Sequence, residues 1–155
     1  MSSQSKQNFA YVFDSWKDED RQLEAILDEV RDWMSQVNQL GIPHFGETAT
    51  RLRPLKQRLF VHFGREIELI SKLAMHYRSP SPEIEAVRKQ SIMDHDQLME
   101  RLDDLIDRLS QLEPPFQSWT EAMDEVGLFL DAIEQHEEHE SDSIRMLMPA
   151  IMEDD

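Results

Sequence analysis

Apolar residues recur along most of the chain at alternating spacings of three and four, which is the spacing of helices that bury one face. Four stretches with this spacing are separated by three short gaps that contain glycine or proline. The pattern predicts helices over about residues 13–40, 54–77, 83–112 and 118–148. The second helix has an earlier alternative start near Glu47.

Each gap carries residues that end helices: glycine then proline at 41–43, Ser-Pro-Ser-Pro at 79–82 and Pro-Pro at 114–115. Ser118, with Glu121 three residues later, is a candidate N-cap of the fourth helix. Each helix is about 25 to 30 residues long, or roughly 40 Å. Because short connections favour antiparallel neighbours, we predict an all-α protein with the up-down-up-down topology of a four-helix bundle.

The composition supports one helical domain. Of the 155 residues, 39% are hydrophobic and 31% are charged, and only 4 are glycine. We therefore expect a single domain over residues 1–155, with its core at about 13–149. The only β-like stretch is the short run from Phe9 to Phe13.

The chain is strongly acidic, with 32 acidic and 16 basic residues and a formal net charge of −16. Such a surface repels nucleic acid and anionic lipid, so neither is expected as a partner. The acidic surface either attracts cations or serves solubility alone. The absence of cysteine excludes disulfides and thiolate metal sites. Because no apolar run has the length of a membrane span and the N-terminus has no apolar signal core, we expect a cytoplasmic protein.

A few polar residues interrupt the apolar stripes, and every helix contributes at least one. They are Asp20 on the first helix, His62 and Glu66 on the second, Ser91 and His95 on the third, and His136 and Glu140 on the fourth. Burying a carboxylate without partners costs several kcal/mol, so interruptions on all four helices require an explanation.

The interruptions also agree in depth. In an antiparallel pair, residues equally far from the connecting loop lie side by side. The pair His62 and Glu66 lies about as far before the second gap as His95 lies after it, and His95 matches the 136–140 segment across the third gap. Asp20 fits less closely, by about four residues or roughly 6 Å of helix. The interruptions are therefore predicted to meet in one layer.

The predicted layer combines imidazoles with carboxylates. Its members are His62, His95 and His136, with Asp20, Glu66 and Glu140. This set of donors binds first-row transition metals, and iron, manganese and zinc all fit it. Histidine and glutamate four residues apart share a helix face, so one pair can bind one ion or bridge two. The alternative is a metal-free polar layer whose groups satisfy one another.

Four motifs in this layer resemble those of the hemerythrin-like (HHE cation-binding) family. They are His-Phe-Gly-Arg-Glu at 62–66, Asp-His-Asp-Gln-Leu at 94–98, His-Glu-Glu-His-Glu at 136–140 and Glu-Asp-Arg-Gln-Leu-Glu at 19–24. The resemblance extends over about residues 13–149, which is nearly the whole chain.

The resemblance implies a non-haem di-iron centre, with two irons bridged by carboxylates and an oxo or hydroxo group. Members of the family bind oxygen reversibly, store or sense iron, or respond to oxygen and nitric oxide. By analogy, His62, His95 and His136 are terminal metal ligands, whereas Glu66 and Glu140 bridge the two metals. The expected small ligand is dioxygen, and any protein partner is left open.

Two positions depart from the family pattern. Asp20 stands where the family usually has histidine, and Ser91 stands four residues before His95, where oxygen-carrying members have another histidine. The site implied is poorer in imidazole and closer in ligand pattern to the iron-sensing domain of a ubiquitin ligase. Asp20 is expected to bind the metal; alternatively it accepts a hydrogen bond beside the metal, or Glu24 takes its place.

The other three histidines are expected to lie outside the site. His139 is expected in solvent, His76 at the end of the core and His44 in the first gap.

Several neighbours of the motifs are expected to pack or to face solvent. Trp16 is expected to pack in the core, and Trp16 and Phe63 are candidates to wall the metal pocket. Glu137 and Glu138, with Asp142, are expected on a solvated face.

Three functions follow from these patterns. The first is a di-iron protein that binds or senses oxygen, iron or redox state. The second is an enzyme that activates oxygen or decomposes peroxide at a carboxylate-rich di-iron site. The third is a metal-free helical interaction module. The sequence favours a binding protein over an enzyme.

Overall fold

The computed structural model describes residues 3–75 and 82–153, with side chains described over 10–75 and 82–146. This part of the chain forms four helices. They are α1 (Ser3–Gln39), α2 (Phe45–Ala74), α3 (Pro82–Leu109) and α4 (Trp119–Glu153). Each helix packs against its neighbour in sequence, and α1 packs against α4 to close the bundle. The predicted four-helix bundle is confirmed.

The N-terminal ends of α1 and α2 were predicted too late. α1 begins at Ser3, so the β-like run near Phe13 is helical, because Val12 and Trp16 continue the buried stripe of α1 four residues apart. α2 begins at Phe45, close to its alternative start, and Pro54 lies inside it. Pro54 is exposed, and so is Thr50, whose carbonyl group loses its amide partner in the helix.

The C-terminal ends also differ from the prediction. α3 ends at Leu109 rather than near residue 112, and Leu112 is fully exposed, because the two prolines that follow oppose further helix. α4 continues past 148 to Glu153 instead of ending before Pro149. A proline this close to a helix end removes only its own hydrogen bond and leaves few turns to disrupt.

Two predicted boundary signals are confirmed. Gly41, just after α1, has a φ of +68°, the left-handed conformation that glycine adopts at helix ends. At the start of α4, the Ser118 hydroxyl accepts a hydrogen bond from the Glu121 amide at 3.1 Å, as an N-cap does.

The apolar core consists of two clusters on either side of the polar layer. The larger cluster contains the stripes from Leu23 to Val37 and from Leu98 to Leu109, with their partners on α2 and α4. The smaller one includes Trp16, Ile70 and Ile144. Among the helices of residues 3–75 and 82–153, none has the length and apolarity needed to cross a membrane.

Candidate metal centre

The bundle brings all six predicted site residues to one level between the two core clusters. His62 and Glu66 come from α2, His95 from α3, and His136 and Glu140 from α4, and each is at most 9% exposed. Asp20 of α1 lies at the same level and is partly buried. Glu24, its alternative, is exposed.

One half of the centre contains two imidazoles and two carboxylates, and we call it the imidazole-rich group: Glu66, His95, His136 and Glu140. His95 Nε2 lies 3.4 Å from Glu66 Oε1 and 3.6 Å from Glu140 Oε2. His136 Nε2 lies 2.7 Å from Glu140 Oε2. One atom from each residue lies within 4.8 Å of the others, so the four donors are close enough together to bind one ion.

The other half contains one imidazole and three carboxylates, and we call it the carboxylate-rich group: Asp20, His62, Glu66 and Glu137. His62 Nε2 lies 3.2 Å from Glu66 Oε1 and 3.1 Å from Glu137 Oε2. Its donor atoms also lie within 4.8 Å of one another. Glu66 belongs to both groups and lies between them, whereas Glu140 belongs to the imidazole-rich group alone.

Glu137 was expected on a solvated face, and that prediction is wrong. Its side chain is only 12% exposed and its carboxylate points into the carboxylate-rich group. The sequence does contain a signal for this. Glu137 lies seven residues after Leu130 and seven before Ile144, both fully buried, so it continues a second apolar stripe on α4.

Glu19 is a second residue that the sequence analysis missed. It is 3% exposed, and its Oε1 lies 3.1 Å from His62 Nδ1, on the side of the ring facing away from the centre. Arg58 and Arg65 donate hydrogen bonds to it at 3.2 and 3.3 Å. A carboxylate in this position fixes the tautomer and orientation of an imidazole that binds metal through its other nitrogen.

Two hydroxyl groups hold carboxylates of the centre in place. Ser91 donates a short hydrogen bond to Glu140 Oε1, which leaves Glu140 Oε2 facing the histidines. Ser141 donates to Asp20 Oδ2 at 2.9 Å and accepts a hydrogen bond from the Trp16 indole at 3.3 Å. The second oxygen atom of Asp20 therefore stays free to face the centre.

Phe63 forms an apolar wall beside the centre, as the sequence suggested. It stacks on His95 with ring centroids 4.0 Å apart, and its centroid lies 5.8 Å from those of both His62 and His136. Because it is 4% exposed, it keeps water from that side of the imidazoles.

The donor atoms of the centre are buried and lack hydrogen-bond partners. In the part of the chain that the structure describes, eleven buried side-chain atoms have no hydrogen bond, and nine of them point into this centre. They belong to Asp20, His62, Glu66, His95, His136, Glu137 and Glu140. Unsatisfied polar atoms are rare in native interiors, and so many in one place fit a site for cations.

In the absence of metal, protons take the place of cations. Burial and repulsion from Glu137 raise the pKa of Asp20 to about 7. Burial, together with repulsion from Glu137 and Glu140, raises the pKa of Glu66 well above its usual value. Burial lowers the pKa of His62, but the nearby carboxylates of Glu137 and Glu19 outweigh it and raise this pKa above its usual value. The centre therefore retains protons that a metal ion would displace.

The sequence profile of the hemerythrin HHE cation-binding domain matches residues 11–148. The chain belongs to this family. No curated protein and no solved structure gives a significant match. Family membership and the two groups of donor atoms together indicate that this hemerythrin HHE domain binds metal cations.

Of the other histidines that the structure describes in this hemerythrin HHE domain, His44 and His139 belong to neither group of donor atoms. His44 precedes α2, where it contacts Glu47 and packs edge-on against Trp119. His139 is exposed, as expected, and His76 lies outside the described residues.

We predict that removing the Asp20 carboxylate stabilises the metal-free protein above pH 7. A carboxyl group whose pKa rises on folding contributes stability that is complete below pH 4 and is lost as the pH rises through about 7. Between pH 4 and 8, the free energy of unfolding of the metal-free wild type should fall by about 1 to 2 kcal/mol relative to that of Asp20→Asn. This figure allows for solvent screening at a partly exposed group.

Urea unfolding at several pH values, with a chelator present, measures this difference. Asp14→Asn, at an exposed position of α1, is the matched control and should follow the wild type. Parallel stability curves for Asp20→Asn and the wild type would contradict the prediction.

Proposed function

We propose that the centre binds two iron ions, bridged by Glu66, and that the protein binds or senses dioxygen, iron or redox state through them. His95, His136 and Glu140 would complete one site, and His62, Asp20 and Glu137 the other. The observation that carries this proposal is the convergence of nine unpartnered buried atoms into two groups that share Glu66.

The charge of the centre supports two divalent ions. Asp20, Glu66, Glu137 and Glu140 carry four negative charges when ionised, and the neutral imidazoles carry none. Two divalent cations balance that charge, whereas one leaves two carboxylates uncompensated in a low-dielectric interior. Glu19 stands apart from this balance because Arg58 and Arg65 pair with it.

Iron suits the mixture of donors better than manganese or zinc, although both are compatible. Imidazole nitrogen suits iron and zinc, carboxylate oxygen suits manganese, and iron is the metal common to mixed sites of this kind. Four protein donors per ion leave open positions on a six-coordinate ion, whereas a structural zinc site is closed at four.

An iron pair supplies the capacity to bind a small ligand such as dioxygen and to change oxidation state. The chain's own residues determine access to it. Phe63 closes one side. A cleft of about 300 Å³ between α1 and α4 reaches Asp20 and Glu137, which admits only small molecules and ions.

A second candidate function is an enzyme that activates oxygen or decomposes peroxide. The three carboxylates of the carboxylate-rich group favour it, because anionic oxygen donors stabilise iron in high oxidation states. Reversible oxygenation of the reduced protein would support the binding function. Sustained turnover of hydrogen peroxide by the iron-loaded protein would support the enzyme.

We predict that the protein purified from iron-replete cells contains close to two iron ions per chain. Mass-spectrometric metal analysis gives the stoichiometry, and Mössbauer spectra of ⁵⁷Fe protein should show a magnetically coupled pair, because the shared carboxylate links the ions. Glu66→Ala should lose the coupled pair. Glu68→Ala, exposed on the same helix, should keep it.

Purified wild type without bound iron under these conditions would contradict the di-iron proposal. One iron per chain would reduce the centre to a single site.

We also predict that Glu19 positions His62 for metal binding. Glu19→Ala removes the acceptor for the His62 Nδ1 proton, and loss of such a partner weakens metal binding by about 10- to 100-fold. Competition with a coloured chelator measures the affinity. Glu29→Ala, exposed on α1, is the control, and an unchanged affinity for Glu19→Ala would refute this role.

A further inference from the structure

The two halves of the centre differ in donors and in burial. The imidazole-rich group offers two histidines, and all four of its residues are buried. The carboxylate-rich group offers one histidine, and two of its members, Asp20 and Glu137, are only partly buried. Imidazole suits iron, whereas carboxylate suits magnesium, calcium and manganese, so two iron ions would not be held equally tightly by the two groups.

An acidic cleft opens onto the carboxylate-rich group alone. It lies between α1 and α4, and we call it the α1–α4 cleft. Its lining combines five carboxylate residues with two leucines and a serine: Asp20, Glu24, Glu134, Glu137 and Glu138, with Leu23, Leu27 and Ser141. Arg31 neutralises Glu134 at 3.2 Å. Glu24 and Glu138 are exposed, and in the described part of the chain neither forms an ion pair.

The inner end of the α1–α4 cleft consists of unpartnered donor atoms. Asp20 Oδ1 and both carboxylate oxygens of Glu137 are buried and have no hydrogen bond. Behind them lies Glu66, whose side chain is 1% exposed and whose two oxygens also have no hydrogen bond. A cation that enters between Glu24 and Glu138 therefore meets progressively more buried carboxylates and ends at His62.

A cavity on the other side of the centre offers a less favourable path for a cation. It has a volume of about 260 Å³, lies between α3 and α4 and reaches His136 and Glu140. Its carboxylates are already engaged: Gln90 donates to Asp94, and Ser91 donates to Glu140.

We propose that the metal of the carboxylate-rich group is exchangeable and enters and leaves through the α1–α4 cleft, whereas the metal of the imidazole-rich group is retained. This inference rests on the two-metal centre proposed above. Because binding of the first ion also repels the second, the centre changes from one ion to two as free Fe(II) rises. Occupancy of the carboxylate-rich group thereby reports the Fe(II) concentration.

Anaerobic titration of the metal-free protein with Fe(II), against competing chelators, tests the inequality. We expect two binding steps in the wild type. Glu137→Gln and Glu140→Gln are a matched pair, the same substitution three residues apart on α4. Glu137→Gln should weaken only the weaker binding step, and Glu140→Gln the tighter one. Each affinity should fall by at least about tenfold, because losing even a hydrogen-bond partner of a metal ligand costs that much.

Stopped-flow loading tests the path. Glu24→Gln with Glu138→Gln should slow binding and release of the weaker ion by about fivefold or more at low ionic strength, and the difference should disappear in high salt. Because these residues bind no metal in the proposed centre, the affinities should stay within about twofold of the wild type. Glu100→Gln with Asp107→Asn, also at exposed positions but on α3, is the control and should load at the wild-type rate.

Several results would overturn the inference while leaving the di-iron centre intact: two indistinguishable steps, a weaker step lost in Glu140→Gln but kept in Glu137→Gln, or unchanged loading rates in the cleft variant. A wild type that binds no Fe(II) would overturn both proposals. Circular dichroism verifies the fold of each variant. If Glu137→Gln does not fold, Asp20→Asn takes its place, with the same expected loss of the weaker step.

Discussion

The structure depends on how seven ionisable side chains are compensated inside an apolar interior. Ion pairs among them are not enough, because four carboxylates face three imidazoles and nine of their atoms have no hydrogen bond. Cations, or protons in their place, must balance the charge. Burial and repulsion between carboxylates raise the pKa of Asp20 and of Glu66, which favours a proton on these two groups when no metal is bound.

The arrangement of the bundle follows from that layer. Apolar clusters on both sides exclude water and hold four helices in register, so that side chains far apart in sequence meet at one level. Outer partners then orient the donors: Glu19 for His62, Ser91 for Glu140 and Ser141 for Asp20. The same close packing makes the buried charge unfavourable when no metal is bound and limits access to small molecules and ions.

Much of the fold and of the candidate site could be predicted from the sequence. A polar residue that interrupts an apolar stripe stands out, and the spacing from each loop placed His62, His95 and His136 at one depth. Helix ends were harder, because the run near Phe13 and the proline at position 54 suit more than one structure locally. The full packing of the bundle decides among them.

Glu19 and Glu137 were missed because each lies beside the main stripe of its helix. Their burial depends on how far each helix rotates toward its neighbours, which a single stripe does not determine. The departures from the family pattern also acquire a physical meaning here. Ser91 holds Glu140, and Asp20 supplies a carboxylate at the opening of the α1–α4 cleft, so the two halves of the centre differ in strength.

The central claim is that bound cations make this buried polar layer stable. Thermal unfolding at pH 7.5, followed by circular dichroism on chelator-stripped protein before and after anaerobic reloading with Fe(II), tests it most directly. Two ions at concentrations well above their dissociation constants should raise the midpoint by about 10 °C or more. A midpoint that does not change, or that falls, on reloading would contradict the account.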